Sequence, residues 1–164
     1  MMGALYNNVY QFVQTDDYVM ILVEMVHDAR IIPIYDSPEE ARANRRPLIH
    51  EPWFGDSVGW YEGDELVVET VNIHPQQMSQ SSIPITKEGK ITERFSRYSD
   101  NEIFYKFIVE DSNIYSRTWT AELSFYNSPV PWYEYACHEG NYSMPGSLAG
   151  ARRLEMVEAG LLEQ

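Results

Sequence analysis

Between residues 55 and 72, apolar and polar side chains alternate on either side of Gly63-Asp64. Gly tolerates positive φ, so that dipeptide suits a two-residue hairpin turn joining two β-strands. Such a turn sets Tyr61 opposite Leu66, Gly59 opposite Val68 and Ser57 opposite Thr70. Strand side chains alternate with period 2, so Ser57, Gly59, Tyr61, Leu66, Val68, Thr70 and Asn72 share one face. The opposite face carries Asp56, Val58, Trp60, Glu62, Glu65, Val67, Glu69 and Val71. Four carboxylates are costly to bury, which assigns that second face to water. The first face mixes apolar groups with neutral hydrogen-bonders and suits the wall of a ligand cavity.

The same logic recurs along the chain. Residues 9–15 predict a short strand. Residues 18–26 (YVMILVEMV) predict a long, β-branched one interrupted only by Glu24, and residues 29–34 a third. Ser37, Pro38 and Glu39-Glu40 supply an N-cap, a first helical position and an acidic first turn for a helix that stops near Arg46, before Pro47. A second hairpin turns at Asp100-Asn101. In that register Thr92, Arg94, Ser96 and Tyr98 share an inward face with Ile103, Tyr105, Phe107 and Val109, while Glu93, Arg97, Lys106 and Glu110 face out. Residues 118–126 and 132–136 read as further strands. A helix over about 144–160 presents Leu148, Ala151, Leu154, Val157 and Leu161 as an apolar stripe, with Gly160 as its C-cap.

Eight or nine strands, mostly hairpin-connected, with one inserted and one C-terminal helix, predict a mainly β fold. Closure into an antiparallel up-and-down barrel removes the sheet edges, and a barrel of about eight strands holds one small ligand. A two-sheet sandwich is the alternative. No internal linker is visible, so the 164 residues read as a single domain over 1–164.

Composition sharpens this picture. The chain carries 12 Tyr, 6 Phe and 4 Trp, which favour strands and aromatic cavity walls. Its formal charge of −13 repels phosphate backbones and anionic lipid, so neither nucleic acid nor membrane is an expected partner. The lone Cys137 excludes an intrachain disulfide framework and a cysteine-rich zinc site. No run approaches about 18 apolar residues and no signal-peptide pattern is visible.

Six segments together carry a resemblance. They are V-H-D-A-R-I-I-P (26–33), G-D-S-x-G-x-x-E-G-D-x-L-V-V-E-T-x-N (55–72), E-R-F-x-R (93–97), V-E-D (109–111), W-T-A-E (119–122) and Y-E-Y-A-C-H-E-G-N-Y (133–142). The chain resembles, over about residues 6–152, a large family of small bacterial proteins, usually secreted. The resemblance implies a lipocalin-like or calycin-like barrel and a periplasmic or secreted ancestor. It implies no activity and no catalytic residues. The family usually has Trp where this chain has Tyr61, and often a basic residue where it has Trp60.

Few groups remain for chemistry. Glu24 interrupts an apolar strand, either as an outward carboxylate, as an ion-pair partner of Arg30 or Arg94, or as a desolvated acid with a raised pKa. His27 lies beside Asp28, so it is either a turn residue or an imidazole oriented by a carboxylate. Arg94 and Tyr105, both expected inward, could hold an enolate or carboxylate. Cys137-His138-Glu139 fits no standard zinc spacing, and His27, His50 and His74 are scattered, so neither metal nor cofactor is expected. The expected catalytic set is therefore His27, Tyr105, Arg94, Glu24 and His138, and the expected substrate-binding set Tyr61, Thr70, Asn72, Trp60, Trp119 and Phe107. Together they point to a cofactor-free acid–base enzyme (a cyclase, isomerase or hydratase/dehydratase) on a hydrophobic, oxygenated small molecule in the barrel interior. The alternative is a non-catalytic lipocalin-like carrier of the same ligand class. Homo-oligomerisation and compartment are left open.

Overall fold

A computed structural model of the chain describes residues 8–79, 83–136 and 138–162. Its strands are β1 (Tyr10–Gln14), β2 (Tyr18–Val23), β3 (Ala29–Tyr35), β4 (Asp56–Glu62), β5 (Glu65–Val71), β6 (Lys90–Ser99), β7 (Glu102–Glu110) and β8 (Trp119–Tyr126). Helix α1 (Pro38–Ala43) connects β3 to β4, and the one-turn helix α2 (Pro75–Ser79) follows β5. All eight strands lie in one sheet in chain order. Each pair is antiparallel except β3 and β4, which run parallel through Ile34↔Gly59 and Tyr35↔Trp60. The excursion through α1 brings the chain back in the same direction, so the sheet departs from the up-and-down pattern at this one place.

The sheet is curled into a half-barrel. Phe12 on β1 packs edge-on against Phe95 on β6 at 5.8 Å and Phe125 on β8 at 5.7 Å, and Tyr10 meets Phe125 at 5.3 Å. Strands at opposite ends of the order therefore face one another across the concave side, although β1 and β8 are not hydrogen-bonded neighbours. Ile32, Val68, Tyr105, Phe107 and Val109 fill that concave core. Gly59 lets β3 approach β4: a Cβ there would stand 2.9 Å from Ile34 Cδ1.

The first hairpin has the register its sequence predicts, with Tyr61↔Leu66, Gly59↔Val68 and Ser57↔Thr70 around Gly63 at φ 63°. Its second face is a correction in part. Glu62 is exposed and Glu65 partly so beside the turn, as expected, but Asp56, Val58, Trp60, Val67 and Glu69 are buried there, not solvated. Ala41 of α1 packs against Val58, Trp60 and Val67, and arginines that follow in the sequence neutralise the carboxylates. Arg45 pairs with Glu69 at 2.6 Å and Asp56 at 3.4 Å, Arg42 with Glu69 at 3.1 Å, and Arg46 approaches Asp56 at 3.9 Å. Ser37 caps α1 by accepting from the Glu40 N–H.

The second hairpin turns at Asp100-Asn101 as expected, with Ser99 opposite Glu102, but the register shifts between Arg97 and Ser99. A β-bulge at Tyr98 adds one unpaired residue, and everything before it changes face. Phe95 then lies opposite Tyr105 and Glu93 opposite Phe107. The β7 facing holds, since Tyr105, Phe107 and Val109 are buried. The β6 facing is inverted: Glu93, not Arg94, points inward.

Two further expectations change. The long strand ends at Val23, where a 3₁₀ turn over Met25–His27 takes Val26 and His27 to positive φ. No strand forms over residues 132–136. Residues 134–162 make up a second compact unit around α3 (Ser143–Glu158), with no helix residue buried. Gly160 closes it at φ 71°, the left-handed C-terminal position that favours glycine. Among the described residues no helix is long and apolar enough to cross a membrane.

Candidate functional site

The concave face holds one buried polar network, and it begins at Arg30. Arg30 shares a face of β3 with Ile32 and Ile34, so the alternation that buries those isoleucines buries the guanidinium as well, to 7% exposure. Its Nε donates to Ser57 Oγ at 2.9 Å and Nη2 donates to Thr70 Oγ1 at 2.8 Å. Both Nη1 and Nη2 donate to the Glu93 carboxylate, giving a two-pronged ion pair. Glu93 is 2% exposed and accepts a further hydrogen bond from the Tyr105 hydroxyl at 2.9 Å. Ser57 and Thr70 are themselves 2.9 Å apart. Strands β3, β4, β5, β6 and β7 each contribute one of these five side chains.

Electrostatics follow from burial and pairing. Burial alone would raise the Glu93 carboxyl, but the Arg30 charge, with hydrogen bonds from Arg30 and Tyr105, brings it down to about 2. Burial, then the neighbouring Glu93 charge and its hydrogen bond, push the Tyr105 hydroxyl far above its ordinary value. Glu93 is thus a fixed anion and Tyr105 a fixed neutral donor around neutral pH, and neither is poised to exchange a proton.

The aromatic surroundings are continuous. Tyr105 stacks on Phe95 at 4.8 Å and on Phe107 at 5.5 Å, and Phe107 meets Trp119 edge-on at 5.7 Å. Beside the network lies a cavity of about 10 Å³, the space of about one water molecule. Arg30, Glu93 and Tyr105 form its polar side. Tyr10, Phe12, Ile21, Phe95 and Phe125 form the rest.

The residues expected to be catalytic do not converge here. Arg94 lies on the convex side, where it pairs with Glu62 and Glu65; the Tyr98 bulge is the reason. His27 is exposed on the 3₁₀ turn and does not line the cavity. Glu24 is buried without an arginine: its oxygens accept from the backbone N–H groups of Val9 at 3.3 Å and Tyr133 at 3.4 Å. That carboxylate ties the start of β1 to the segment following β8. His138 is exposed and belongs to the second unit, while Cys137 lies outside the described residues. Tyr105 alone of the five is part of the network.

The substrate-binding expectations divide similarly. Thr70 holds Arg30, and Phe107 and Trp119 belong to the concave aromatic wall. Trp60 is on the convex side, 4% exposed beneath α1 with the Arg42 guanidinium 5.4 Å from its ring, so it cannot line the cup. Tyr61 is 42% exposed near the turn, its hydroxyl accepting from Gln14. Asn72 is buried at φ 54° and donates to the carbonyls of Leu48 and His50, which fixes the loop before β4.

Arg30, Ser57 and Glu93 went unassigned in the expected site. Ile91, Glu93 and Phe95 alternate, as do Arg30, Ile32 and Ile34. Charged residues in phase with large apolar ones were the available signal. Among the described residues no three His, Cys, Asp or Glu side chains gather into a metal-binding group. No protein-family model, no curated protein and no solved structure matches this chain.

Proposed function

We propose that the chain is a small-molecule-binding barrel module of the lipocalin-like type, a carrier that holds a hydrophobic, oxygenated ligand on the concave face without turning it over. The observation that carries this reading is the Arg30–Glu93–Tyr105 network, wholly buried against an aromatic wall and bordering a cavity. A buried ion pair is weak support for stability, since apolar residues of similar volume often do as well or better. Its place beside a cavity therefore favours recognition over packing. The six-segment motif resemblance described above supports the lipocalin-like assignment, and the half-barrel is compatible with it.

Binding is preferred to acid–base catalysis for a specific reason. An enzyme of that kind needs a proton donor and acceptor near neutral pKa on one wall. The interior offers a carboxylate locked as an anion and a phenol locked as a donor. The two histidines proposed from sequence for catalysis are exposed.

Native mass spectrometry of the protein purified from its source tests the reading. The expected result is a discrete mass increment from a non-protein, largely apolar molecule, released on denaturation. A bare mass, combined with no uptake of apolar probes in calorimetry, would remove it.

A further inference from the structure

The network also restricts which oxygen the cup accepts. We propose that the site selects an uncharged hydroxyl group on an aromatic or apolar body and rejects the corresponding carboxylate, an inference that rests on the binding reading above. The argument is a count of hydrogen-bonding capacity. A guanidinium has five N–H groups, and Arg30 uses four of them on Ser57, Thr70 and the two oxygens of Glu93. The fifth, on Nη1, has no partner among the described residues. A carboxylate can accept about four hydrogen bonds, and Glu93 accepts three, two at Oε1 and one at Oε2. Tyr105 donates its only proton to Glu93 and accepts nothing among the described residues. One donor and two acceptors are thus left over on groups that border the same small cavity.

A hydroxyl answers the donor and one of the two acceptors. Its oxygen accepts from Arg30, and its proton goes to Glu93 or Tyr105. A carboxylate answers only the first, and it brings a second anion beside one already neutralised by the sole guanidinium of the cavity wall. An ammonium fails in the opposite sense, placing a cation beside Arg30. The rest of the ligand needs room where Phe12 and Tyr10 now stand. These rings sit on β1, a terminal strand of the sheet order that contacts β8 through side chains and not through a ladder.

Calorimetry of the full chain at pH 7 with 2-naphthol, 2-naphthoate and 2-methylnaphthalene reads this selection. The three probes share a body and differ only in the group presented to the network. Wild type is expected to bind 2-naphthol at least about tenfold more tightly than 2-naphthoate, since burying an unpaired charge is penalised far more than burying a satisfied hydroxyl. In Glu93→Gln the Arg30 charge loses its partner, and the order of those two probes is expected to reverse. Tyr105→Phe provides a second reading if Glu93→Gln does not fold. It is expected to stay folded by circular dichroism and to bind 2-naphthol several-fold more weakly, with 2-methylnaphthalene unchanged. Naphthoate binding wild type as well as naphthol, or an unchanged order in the folded variants, would overturn the selection while leaving the binding reading intact. Uptake of none of the three would overturn the selection, and together with a bare mass in native mass spectrometry it would overturn the binding reading as well.

Discussion

Strand β5 carries an ionic network on each of its faces, and the two are built differently. On the concave side Thr70 belongs to a closed set in which one guanidinium meets one carboxylate, with side chains 7% and 2% exposed. On the convex side Glu69 is served by Arg42 and Arg45, with Lys90 at 3.8 Å, and Asp56 by Arg45 and Arg46. The convex carboxylates are buried, but Arg42 and Arg46 are 50% and 59% exposed. Redundant, half-solvated cations make a clamp that fastens α1 and its following segment to the sheet. A single dry pair makes something less tolerant, since either partner alone would be an uncompensated buried charge.

The sharpest way to break the contrast is Arg30→Met. It leaves Glu93 buried without a cation and is expected to lose about 3–5 kcal/mol in urea denaturation. Acid titration should separate the faces next. The Glu93 pKa is lowered on folding from 4.5 to about 2, so its stabilisation is fully present above about pH 4.5 and fades as pH falls toward about 2. Wild type should lose up to about 3 kcal/mol across that window through this group, and Glu93→Gln should lack that component when the two stability–pH curves are compared. On the convex side Arg45→Ala removes the best-buried cation from both carboxylates and should cost about 1–3 kcal/mol by the same urea assay. Arg42→Ala, half-exposed and backed by Arg45, should cost no more than about 1 kcal/mol. The smallest effect is that of salt. Raising NaCl to about 1 M shortens the Debye length to about 3 Å, so it should narrow the penalty of Arg42→Ala and leave that of Arg30→Met nearly unchanged.

How much of this could be read from the sequence depends on where each determinant lies. The Gly63 hairpin was legible because its turn chemistry and alternation sit within one short stretch, and its register is as read. The solvation of its convex face was not legible. The compensating cations Arg42, Arg45 and Arg46 arrive from outside the hairpin, so nothing within it shows that the expense of burying its carboxylates is offset. For β6 the turn was right and the facing wrong, because no residue type at Tyr98 announces a bulge. The in-phase pattern of Ile91, Glu93 and Phe95 disagreed with the turn-derived register, and that disagreement was the available warning. Glu24 and His27 fall outside the expected strand because the apolar run passes its end at Val23, where the backbone turns to positive φ; His27 is the turn residue that one of its two readings described.

The Tyr98 bulge is where chain length and electrostatic sign become coupled. Glu93 and Arg94 are adjacent, so a strand running in one frame offers the interior an acid and in the other a base. The bulged residue is skipped by the ladder and 78% exposed. Deleting Tyr98 would keep Arg97 opposite Ile103 and leave the polarity of the cup as it is. Retaining the residue while straightening the strand would bring Arg94 inward beside Arg30, two cations with no anion between them. Length variation in descendants of this chain should therefore be tolerated at position 98 and selected against between there and Glu93.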